Sequence, residues 1–424
     1  MKFIATDVED NPARVDANVL EQKQKPGFSM GNYFYRSHVV YERELDRLFY
    51  KSWLYAGHVS QIPNPGDFFL YEIGEDSIIL SRDNDGNVHA SMNICRHRGA
   101  RVCEEQTGNK KTFVCPYHGW VYNLDGTLRA ARHMEMQESF SQDQYGLKSV
   151  RMVEYEGCLF INCDSEAADF VPSLDRIAPA LKPYDLSNAK VAHSQVYKVD
   201  ANWKLALENY LECYHCATSH RAYAKLHTLQ ARDEHVEKIN QAMWDRSEEQ
   251  TGVANISHDH YSAYSSEVDG FGTSVYTSRY ALYDGFKTGS EGGVPVAPLM
   301  GEFKGFDGGC GDFQIGITTF MLNYPDHCVL YRFTPRGMTQ TDMEIVWFVR
   351  RDAEEGVDYD KDKVIWLWHN TTLEDEYIIL RNSEGVNSRF FEPGPYHPEF
   401  ESCCLDFVDW YLSSMGSVDS QSCE

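Results

Sequence analysis

The sequence lacks any apolar run that approaches the roughly 18 residues a membrane-spanning helix needs. Charged residues make up 24% of its 424 residues, and its mean hydropathy is −0.49. The N-terminus has no long apolar segment followed by a cleavage site of small residues, as a secretory signal would have. We therefore expect a cytoplasmic protein with no membrane segment.

Positive charge is also scarce. The 39 lysines and arginines face 64 aspartates and glutamates, which leaves a net charge of −25. This excess argues against binding to nucleic acid or to anionic membranes, and it mildly favours cationic ligands. Neither an internal repeat nor a G-x-G-x-x-G loop occurs, so the chain is not expected to bind a nicotinamide or flavin nucleotide itself.

Disulfides are not expected either, although the chain has 12 cysteines. In a large cytoplasmic protein, cysteines are more often metal ligands or buried free thiols. We interpret five of them as free thiols: Cys103, Cys158, Cys163, Cys403 and Cys404.

Two short motifs each offer one thiolate and one imidazole. Cys95-x-His97 is followed, after seventeen residues, by Cys115-x-x-His118. Two sulfur and two nitrogen ligands can hold a tetrahedral zinc ion, or a [2Fe–2S] cluster in which the cysteines bind one iron and the histidines the other. Zinc fingers usually place the two cysteines together, whereas here each motif carries one ligand of each kind. The spacing therefore favours the iron–sulfur cluster.

The region around these motifs is rich in β-strand residues. Short runs of period two alternate with turns, and Asp85-Gly86 and Asp125-Gly126 are typical of hairpins. We predict an antiparallel all-β domain over residues 45–165. Residues 1–44 are interpreted as a helical lead-in that belongs to the domain after it.

Residues 166–424 are predicted to form an α+β domain. Three strand-like runs after Phe313 suit an antiparallel sheet, whereas residues 228–313 show little periodicity and are expected to be irregular. His258-Asp-His260 is interpreted as a solvated pair of histidines rather than a metal site.

A long helix is predicted from Asn202 to His227. Its Glu208, Glu212 and His215 lie at i, i+4 and i+7, and such charge is costly to bury without a partner or a metal. His220 would point about 140° away from His215 on an ideal helix, so the helix must bend or end between them if both bind one ion. An apolar stripe is expected at Trp203, Leu207, Tyr210 and Tyr214.

A helix late in the chain offers a third ligand. Two histidines and one carboxylate form the triad that binds O₂-activating Fe(II). We choose Asp375, because its helix has apolar residues on two sides and is expected to be buried; Glu374 and Glu376 are the alternatives. Thr371 is expected to cap this helix, whose main apolar stripe is Leu373, Tyr377 and Leu380.

Together these motifs resemble those of the Rieske non-haem iron oxygenases. The runs CRHRG and CPYHGW are similar to the two cluster loops of that family, and ENYLECYHCATSH is similar to its catalytic helix. The segment VNSRFFEPGPY follows the late acidic helix, as it does in that family. The family commonly has aspartate where this chain has Glu212, a difference that concerns the subfamily.

The resemblance implies the catalytic α subunit of such an oxygenase, with a β-type Rieske domain inserted before a helix-grip-like catalytic domain. It implies a [2Fe–2S] cluster held by Cys95, His97, Cys115 and His118. It implies a mononuclear Fe(II) held by His215, His220 and Asp375. Catalytic positions are implied for Glu208, Asn209 and Glu212, with Glu212 as the bridge for electrons from the cluster of a neighbouring subunit.

The same resemblance implies partners. A separate reductase of flavin or ferredoxin type would supply electrons from NAD(P)H, O₂ would be the co-substrate, and three copies would form a head-to-tail trimer. From Arg96 to Arg132 seven basic residues face three acidic ones. This patch suits an acidic electron donor, and it suits subunit contacts or a solvated face equally well.

The run ECYHC with Glu212 is similar to oxygenases that oxidise an N-methyl group of a quaternary amine, so that formaldehyde leaves. An acidic chain with aromatic-rich loops suits a cation held by ring faces. The alternative within the family is hydroxylation of an aromatic ring. The alternative outside it is a non-catalytic Rieske electron carrier.

These assignments predict that the two metal sites can be lost separately. A His118→Ala protein should lose the visible absorption of the cluster, because the cluster loses a ligand. A His220→Ala protein should keep that absorption and lose turnover. Absorption spectra and product assays of both variants check this, and an unchanged spectrum in His118→Ala would refute the cluster assignment.

Overall fold

The computed structural model describes residues 9–254, 256, 264 and 271–416. Helices lie at both ends of this part of the chain. The first three are α1 (Pro12–Lys23), α2 (Tyr33–Arg36) and α3 (His38–Arg47). Leu45, Leu48 and Phe49 at the end of this helical segment are buried. The His258-Asp-His260 motif lies outside the described residues.

Short antiparallel strands follow the lead-in helices, as predicted. They form three small sheets with the orders β1-β10-β9, β4-β3-β2-β5 and β6-β7-β8. Their bounds are β1 (Leu54–His58), β2 (Asp67–Ile73), β3 (Asp76–Arg82), β4 (Val88–Met92), β5 (Thr107–Asn109), β6 (Phe113–Val114), β7 (Val121–Tyr122), β8 (Leu128–Ala130), β9 (Arg151–Tyr155) and β10 (Cys158–Asn162).

Both predicted hairpins are confirmed. Gly86 lies between β3 and β4 with φ of 92°, and Gly126 lies between β7 and β8 with φ of 85°. Glycine adopts this left-handed backbone without the steric cost that other residues meet. The domain limits at residues 45 and 165 stay predictions.

The second half of the chain is built on one six-stranded antiparallel sheet, in the order β11-β16-β15-β14-β13-β12. The predicted α+β class and the strands after Phe313 are thereby confirmed. One face of the sheet packs against α4 through Leu174 and Ile177, and the other face is turned toward α5 and α9. The strands are β11 (Ala189–Val199), β12 (Val275–Ala281), β13 (Gly309–Ile315), β14 (Thr319–Asn323), β15 (Cys328–Pro335) and β16 (Thr341–Arg350).

The helices of this half are α4 (Val171–Leu181), α5 (Trp203–Tyr210), α6 (Cys216–Ser219), α7 (Arg221–Leu226), α8 (Glu234–Thr251), α9 (Lys361–Val386) and α10 (Ser402–Met415). No helix within the described ranges is both long and apolar enough to cross a bilayer.

The predicted long helix from Asn202 to His227 is wrong, because the structure breaks it into α5, α6 and α7. After Tyr210 the Glu212 carboxylate accepts the backbone N–H groups of Tyr214 and His215, an alternative to the helical hydrogen bonds. A second break occurs at His220, where φ is −119° and ψ is 76°. The helix was expected to bend or end between His215 and His220 if both bind one ion, and it does end there.

The apolar stripe predicted for this helix is confirmed only at its start. Trp203 and Leu207 are fully buried, Tyr210 is partly buried, and 56% of Tyr214 is exposed. Because the helix ends at Tyr210, its 3.6-residue period no longer places Tyr214 on the face that α5 buries.

A buried carboxylate fixes α5 to the helices around it. Lys204 Nζ lies 2.5 Å from Glu44 Oε1 on α3, and neither side chain is exposed to solvent. Trp203 Nε1 and the Tyr411 hydroxyl also donate hydrogen bonds to Glu44. A buried carboxylate needs such partners, since an unpaired one is strongly destabilising.

Two expectations for the late helix are wrong. Thr371 does not begin a helix, because α9 runs without interruption from Lys361 to Val386. The predicted apolar stripe is not buried, since 44% of Leu373 and 63% of Tyr377 are exposed. The face that is buried carries Thr372 and Ile379 instead. Thr372 is tolerated there because its hydroxyl donates to the carbonyl of Trp368, one turn earlier.

The expectation that residues 228–313 are irregular is wrong for α8. Asp233 caps this 18-residue helix by accepting the backbone N–H of Val236, and Gly252 ends it with φ of 75°. Val236, Ile239 and Met243 are buried at helical spacing. The capping residues and this spacing were the signals that could have predicted the helix.

Candidate functional site

The two Cys/His loops adopt the same backbone turn. The backbone carbonyl oxygens of Cys95 and Cys115 each accept a hydrogen bond from the backbone N–H of the glycine four residues later, over 2.9 and 3.0 Å. Those glycines, Gly99 and Gly119, have φ of 76° and 70°. The equivalent turns bring two buried cysteines and two exposed histidines to one end of the β-rich region.

The four side chains form two close pairs, and in the first of them the Cys95 and Cys115 thiols lie within hydrogen-bond reach of each other. His97 Nδ1 lies 3.1 Å from His118 Nδ1, so both rings turn the same nitrogen toward one point. Trp120 stacks on His97 with ring centroids 5.0 Å apart, and the Tyr122 hydroxyl lies 3.3 Å from Cys95 Sγ. Partial desolvation, followed by the nearby His118, lowers the pKa of His97, which favours the neutral ring that a metal binds.

The basic patch around these loops is partly neutralised. Arg101 pairs with Glu72 over 3.1 Å, and Lys110 pairs with Glu105 over 2.6 Å. Arg98 lies over the ring of Tyr117, with its guanidinium carbon 5.0 Å from the ring centroid.

A second group of ligands forms where α6, α7 and α9 meet. His215 Nε2 lies 3.0 Å from His220 Nε2, and Asp375 Oδ1 lies 3.4 and 2.9 Å from these two nitrogens. The ligand atoms all lie within 4.8 Å of one another. Two imidazoles and one carboxylate around a single point form the donor set that Fe(II) takes in O₂-activating enzymes.

The charges of this group are strongly coupled. Burial alone would lower the pKa of His215, but hydrogen bonds with Asp375 and Glu212 raise it to about 9. Burial would raise the pKa of Asp375, and its contacts with His215 and His220 lower it instead. The carboxylate is thus stabilised as an anion by positive charge at the triad, which a metal ion would supply in place of protons.

Two further carboxylates bind the outer nitrogens of the histidines. Glu212 Oε1 lies 2.6 Å from His215 Nδ1, and Glu374 Oε2 lies 2.9 Å from His220 Nδ1. Such partners fix which ring nitrogen faces the metal. Sequence reasoning identified Glu212, whereas it considered Glu374 only as an alternative ligand. No local spacing could have paired Glu374 with a residue 154 positions earlier.

The other two predicted site residues, Asn209 and Glu208, do not lie together: only Asn209 is close to the triad. Asn209 lines the cavity, and its Nδ2 lies 3.5 Å from His215 Nε2. Glu208 does not share a face with Glu212, because α5 ends between them. It accepts a hydrogen bond from the Tyr35 hydroxyl over 3.1 Å, and burial raises its pKa to about 7.

Beside the triad lies a cavity of about 140 Å³. Its walls come from α7, from the sheet strands β12, β13 and β14, from α9 and from the start of α10. Arg232 adds a positive charge to these walls, and six of their side chains are aromatic rings: Tyr210, Tyr223, Tyr276, Tyr280, Trp368 and Phe400.

Two cysteines of this wall correct the sequence analysis. Cys213 and Cys216 form a disulfide with Cα atoms 4.9 Å apart, where free thiols or ligands were expected. The five cysteines interpreted as free thiols are confirmed. The disulfide encloses His215 and lies beyond the end of α5.

The sequence matches two protein families, one over each of the two regions that contain these groups of side chains. The Rieske [2Fe-2S] domain family matches residues 52–141, and the ring hydroxylating alpha subunit (catalytic domain) family matches residues 186–417. Over 98% of its length the chain is 34% identical to the glycine betaine monooxygenase oxygenase subunit of Chromohalobacter salexigens, 93% of which is covered. It is 36% identical to the carnitine monooxygenase oxygenase subunit of Escherichia coli over 194 residues, 45% of this chain and 52% of that one.

Solved structures share the fold. The quaternary ammonium Rieske monooxygenase CntA, in complex with an inhibitor, matches with a TM-score of 0.70 and 20% identity, over 97% of this chain and 99% of that one. Naphthalene 1,2-dioxygenase from Rhodococcus sp. matches with a TM-score of 0.70 and 18% identity, over 96% of this chain and 98% of that one. At these identities the likeness concerns the fold alone.

The two donor sets fit the cofactors of this family, because the first offers two sulfurs and two nitrogens and the second offers two imidazoles and one carboxylate. The protein is an enzyme that carries a Rieske [2Fe–2S] cluster and a mononuclear iron, so the alternative of a non-catalytic carrier is excluded. As an oxygenase subunit it uses O₂ and depends on a separate reductase. The chain belongs to the ring-hydroxylating oxygenase alpha subunits, and it is a Rieske non-haem iron oxygenase.

Proposed function

We propose that this oxygenase oxidises an N-methyl group of a small quaternary amine of the betaine type. The proposal rests on the cavity beside His215, His220 and Asp375. Aromatic rings line its walls and would contact a substrate bound next to the triad. Ring faces attract a quaternary ammonium group, which can form no hydrogen bonds, by about 0.5–2 kcal/mol per ring. The relatives named for glycine betaine and carnitine support the same substrate class.

In this reaction one methyl C–H bond becomes C–OH, with the second oxygen atom of O₂ leaving as water and two electrons coming from NAD(P)H. The hydroxymethyl ammonium then breaks its C–N bond. The electron pair of that bond stays on nitrogen, a proton leaves the hydroxyl, and formaldehyde is released. The rings around the triad would exclude water and hold the methyl group near the metal.

We propose the following ligands. Cys95 and Cys115 would hold one iron of the cluster, and His97 and His118 would hold the other through Nδ1. His215 and His220 would hold the mononuclear iron through Nε2, together with Asp375. When bound, the cluster supplies electrons and the mononuclear iron activates O₂.

Glu212 is proposed as the electron-transfer bridge. It accepts the Nδ1 proton of His215 over 2.6 Å, and only 12% of its side chain is exposed. Tyr214, two residues further on, is largely exposed, and so are the cluster histidines His97 and His118. We infer that a neighbouring copy brings its cluster histidines to this surface in a head-to-tail trimer.

The remaining motif residues are proposed to position this bridge. Asn209 lines the cavity beside His215, and Glu208 ties α5 to Tyr35. Partners outside the chain are proposed from the resemblance: a reductase of flavin or ferredoxin type that uses NAD(P)H. The basic patch would be a docking surface for it, and the cytoplasm, which holds NAD(P)H, would be the location.

The substrate class is tested by product analysis. With a competent reductase and NADH, we expect glycine betaine or a related betaine to give formaldehyde in a one-to-one ratio with oxidised NADH. Benzoate-type acids should give no hydroxylated ring product. Ring hydroxylation without formaldehyde release would refute the proposal and favour the aromatic alternative.

The ligand assignment predicts graded losses of iron. Asp375→Ala should lose the mononuclear iron and all activity, because two imidazoles alone hold Fe(II) weakly. Glu374→Ala should lower iron affinity by about 10-fold, since it orients His220 without binding the metal. Glu376→Ala is the control and should keep its iron. Metal analysis of the three proteins checks this order, and a protein in which Glu374→Ala loses more iron than Asp375→Ala would overturn the choice of ligand.

The bridging role of Glu212 predicts a slow reduction step with both metal sites filled. Glu212→Gln keeps the size of the side chain and removes its charge. We expect unchanged iron and cluster content, and single-turnover product formation at least about 10-fold slower from a prereduced cluster. Glu374→Gln makes the same change at His220 and should slow this step less. Equal rates in the two variants would reduce Glu212 to an orienting residue.

A further inference from the structure

One acidic residue in the cavity wall, Asp312, forms no salt bridge with any described residue, although Arg232 lines the same cavity. Asp312 lies on β13, a strand between β12 and β14, where it faces Ser278 on one side and Leu322 on the other. Its side chain lines the cavity beside the triad. Aspartate is rare inside strands, because its short polar side chain suits neither the pleated surface nor burial. Its presence in an inner strand therefore needs an explanation.

Asp307, which lies just before β13, is a buried carboxylate whose charge is balanced by a positive partner. Asp307 accepts two hydrogen bonds from Arg279 Nη2, over 2.7 and 2.8 Å, and one from the Ser247 hydroxyl. Although burial acts to raise its pKa, Arg279 lowers it below the ordinary value. Asp307 is thus stable as an anion inside the protein.

No described residue pairs with Asp312 in this way. Within the described part of the chain, the group that stabilises its charge is the backbone N–H of Phe313, and burial raises its pKa to about 7. An uncompensated carboxylate in a cavity is an expensive feature unless a ligand supplies the positive charge.

The groups around Asp312 suit a cation that forms no hydrogen bonds. The negative charge of Asp312 reaches Tyr210, Tyr223, Tyr276 and Tyr280, all of which line the same cavity. The Tyr210 hydroxyl is buried and has no hydrogen-bond partner among the described residues. Four rings and one carboxylate thus line the space next to the triad, where a positive ligand would balance the charge of Asp312.

We propose that Asp312 is the counter-ion for the cationic nitrogen of the substrate and that its charge selects quaternary ammonium compounds over neutral molecules of the same shape. This inference rests on the proposed function in placing the substrate in this cavity. It adds a residue that determines specificity by charge, whereas the ring faces alone would also accept a neutral aromatic molecule. A quaternary nitrogen takes no hydrogen bond, so the contribution of Asp312 is electrostatic.

The test compares two ligands that differ in charge and hardly in shape. Glycine betaine and 3,3-dimethylbutyrate differ only in having nitrogen or carbon at the centre of the trimethyl group. Calorimetry on the metal-loaded enzyme should give at least about 10-fold tighter binding for the betaine, since the charge pair lies in a cavity of low polarity. Tetramethylammonium, which is the head group alone, should bind competitively with it.

The decisive variant is Asp312→Asn, which keeps the shape and removes the charge. We expect the preference for betaine over its carbon isostere to fall to about one, and binding of tetramethylammonium to be lost. Asp284→Asn, the same change at an exposed aspartate outside the cavity lining, is the matched control and should keep the wild-type preference. The ligand-free Asp312→Asn protein should melt at the same or a higher temperature, because an unpaired buried charge has been removed.

Three outcomes would overturn the inference: an equal preference in Asp312→Asn and wild type, wild-type binding of the isostere as tight as that of betaine, or no wild-type binding of either cation. These outcomes are distinct from failure of the proposed function. Betaine turnover with an unchanged preference in Asp312→Asn would leave the function standing without this role. Asp312-dependent binding of tetramethylammonium without formaldehyde release would establish the cation site and refute the reaction.

Discussion

The structure depends on one constraint: the Nε2 atoms of His215 and His220 and one oxygen of Asp375 must face the same point. A continuous helix would hold the two imidazoles about 140° apart. The chain meets the constraint by ending α5 at Tyr210 and breaking again at His220. Glu212 serves both purposes, since its carboxylate takes the backbone N–H groups freed by the break and also binds His215 Nδ1. The geometry of the helix end and the orientation of the ligand therefore have the same cause.

Such a broken segment needs rigid surroundings. On one side, the buried Glu44 collects hydrogen bonds from Trp203, Lys204 and Tyr411 and fixes the start of α5. On the other side, α9 is a single 26-residue helix, and it presents Asp375 and Glu374 to the two histidines. Packing of a regular helix and a buried ion pair thus determines where an irregular loop places its ligands.

Charge is used differently in the two halves of the chain. The chain as a whole has a net charge of −25, whereas the cluster loops carry a local excess of basic residues. Inside the catalytic half, most carboxylates near the cavity have partners: Asp375 and Glu212 pair with His215, and Asp307 pairs with Arg279. Asp312 stands apart from this pattern. A single unpaired anion among aromatic rings would distinguish a cationic substrate from a neutral one, where shape alone would accept both.

The sequence by itself determined the features that depend on local spacing. The Cys/His motifs, the two hairpins and the strands after Phe313 follow from short-range patterns, and the resemblance to Rieske oxygenases rested on the same short motifs. Tertiary structure decided which distant groups meet. The pairing of Glu374 with His220, the separation of Glu208 from the site and the isolation of Asp312 depend on contacts between elements far apart in the chain. The end of α5 decided the exposure of Tyr214, because a helical period predicts faces only while the helix continues.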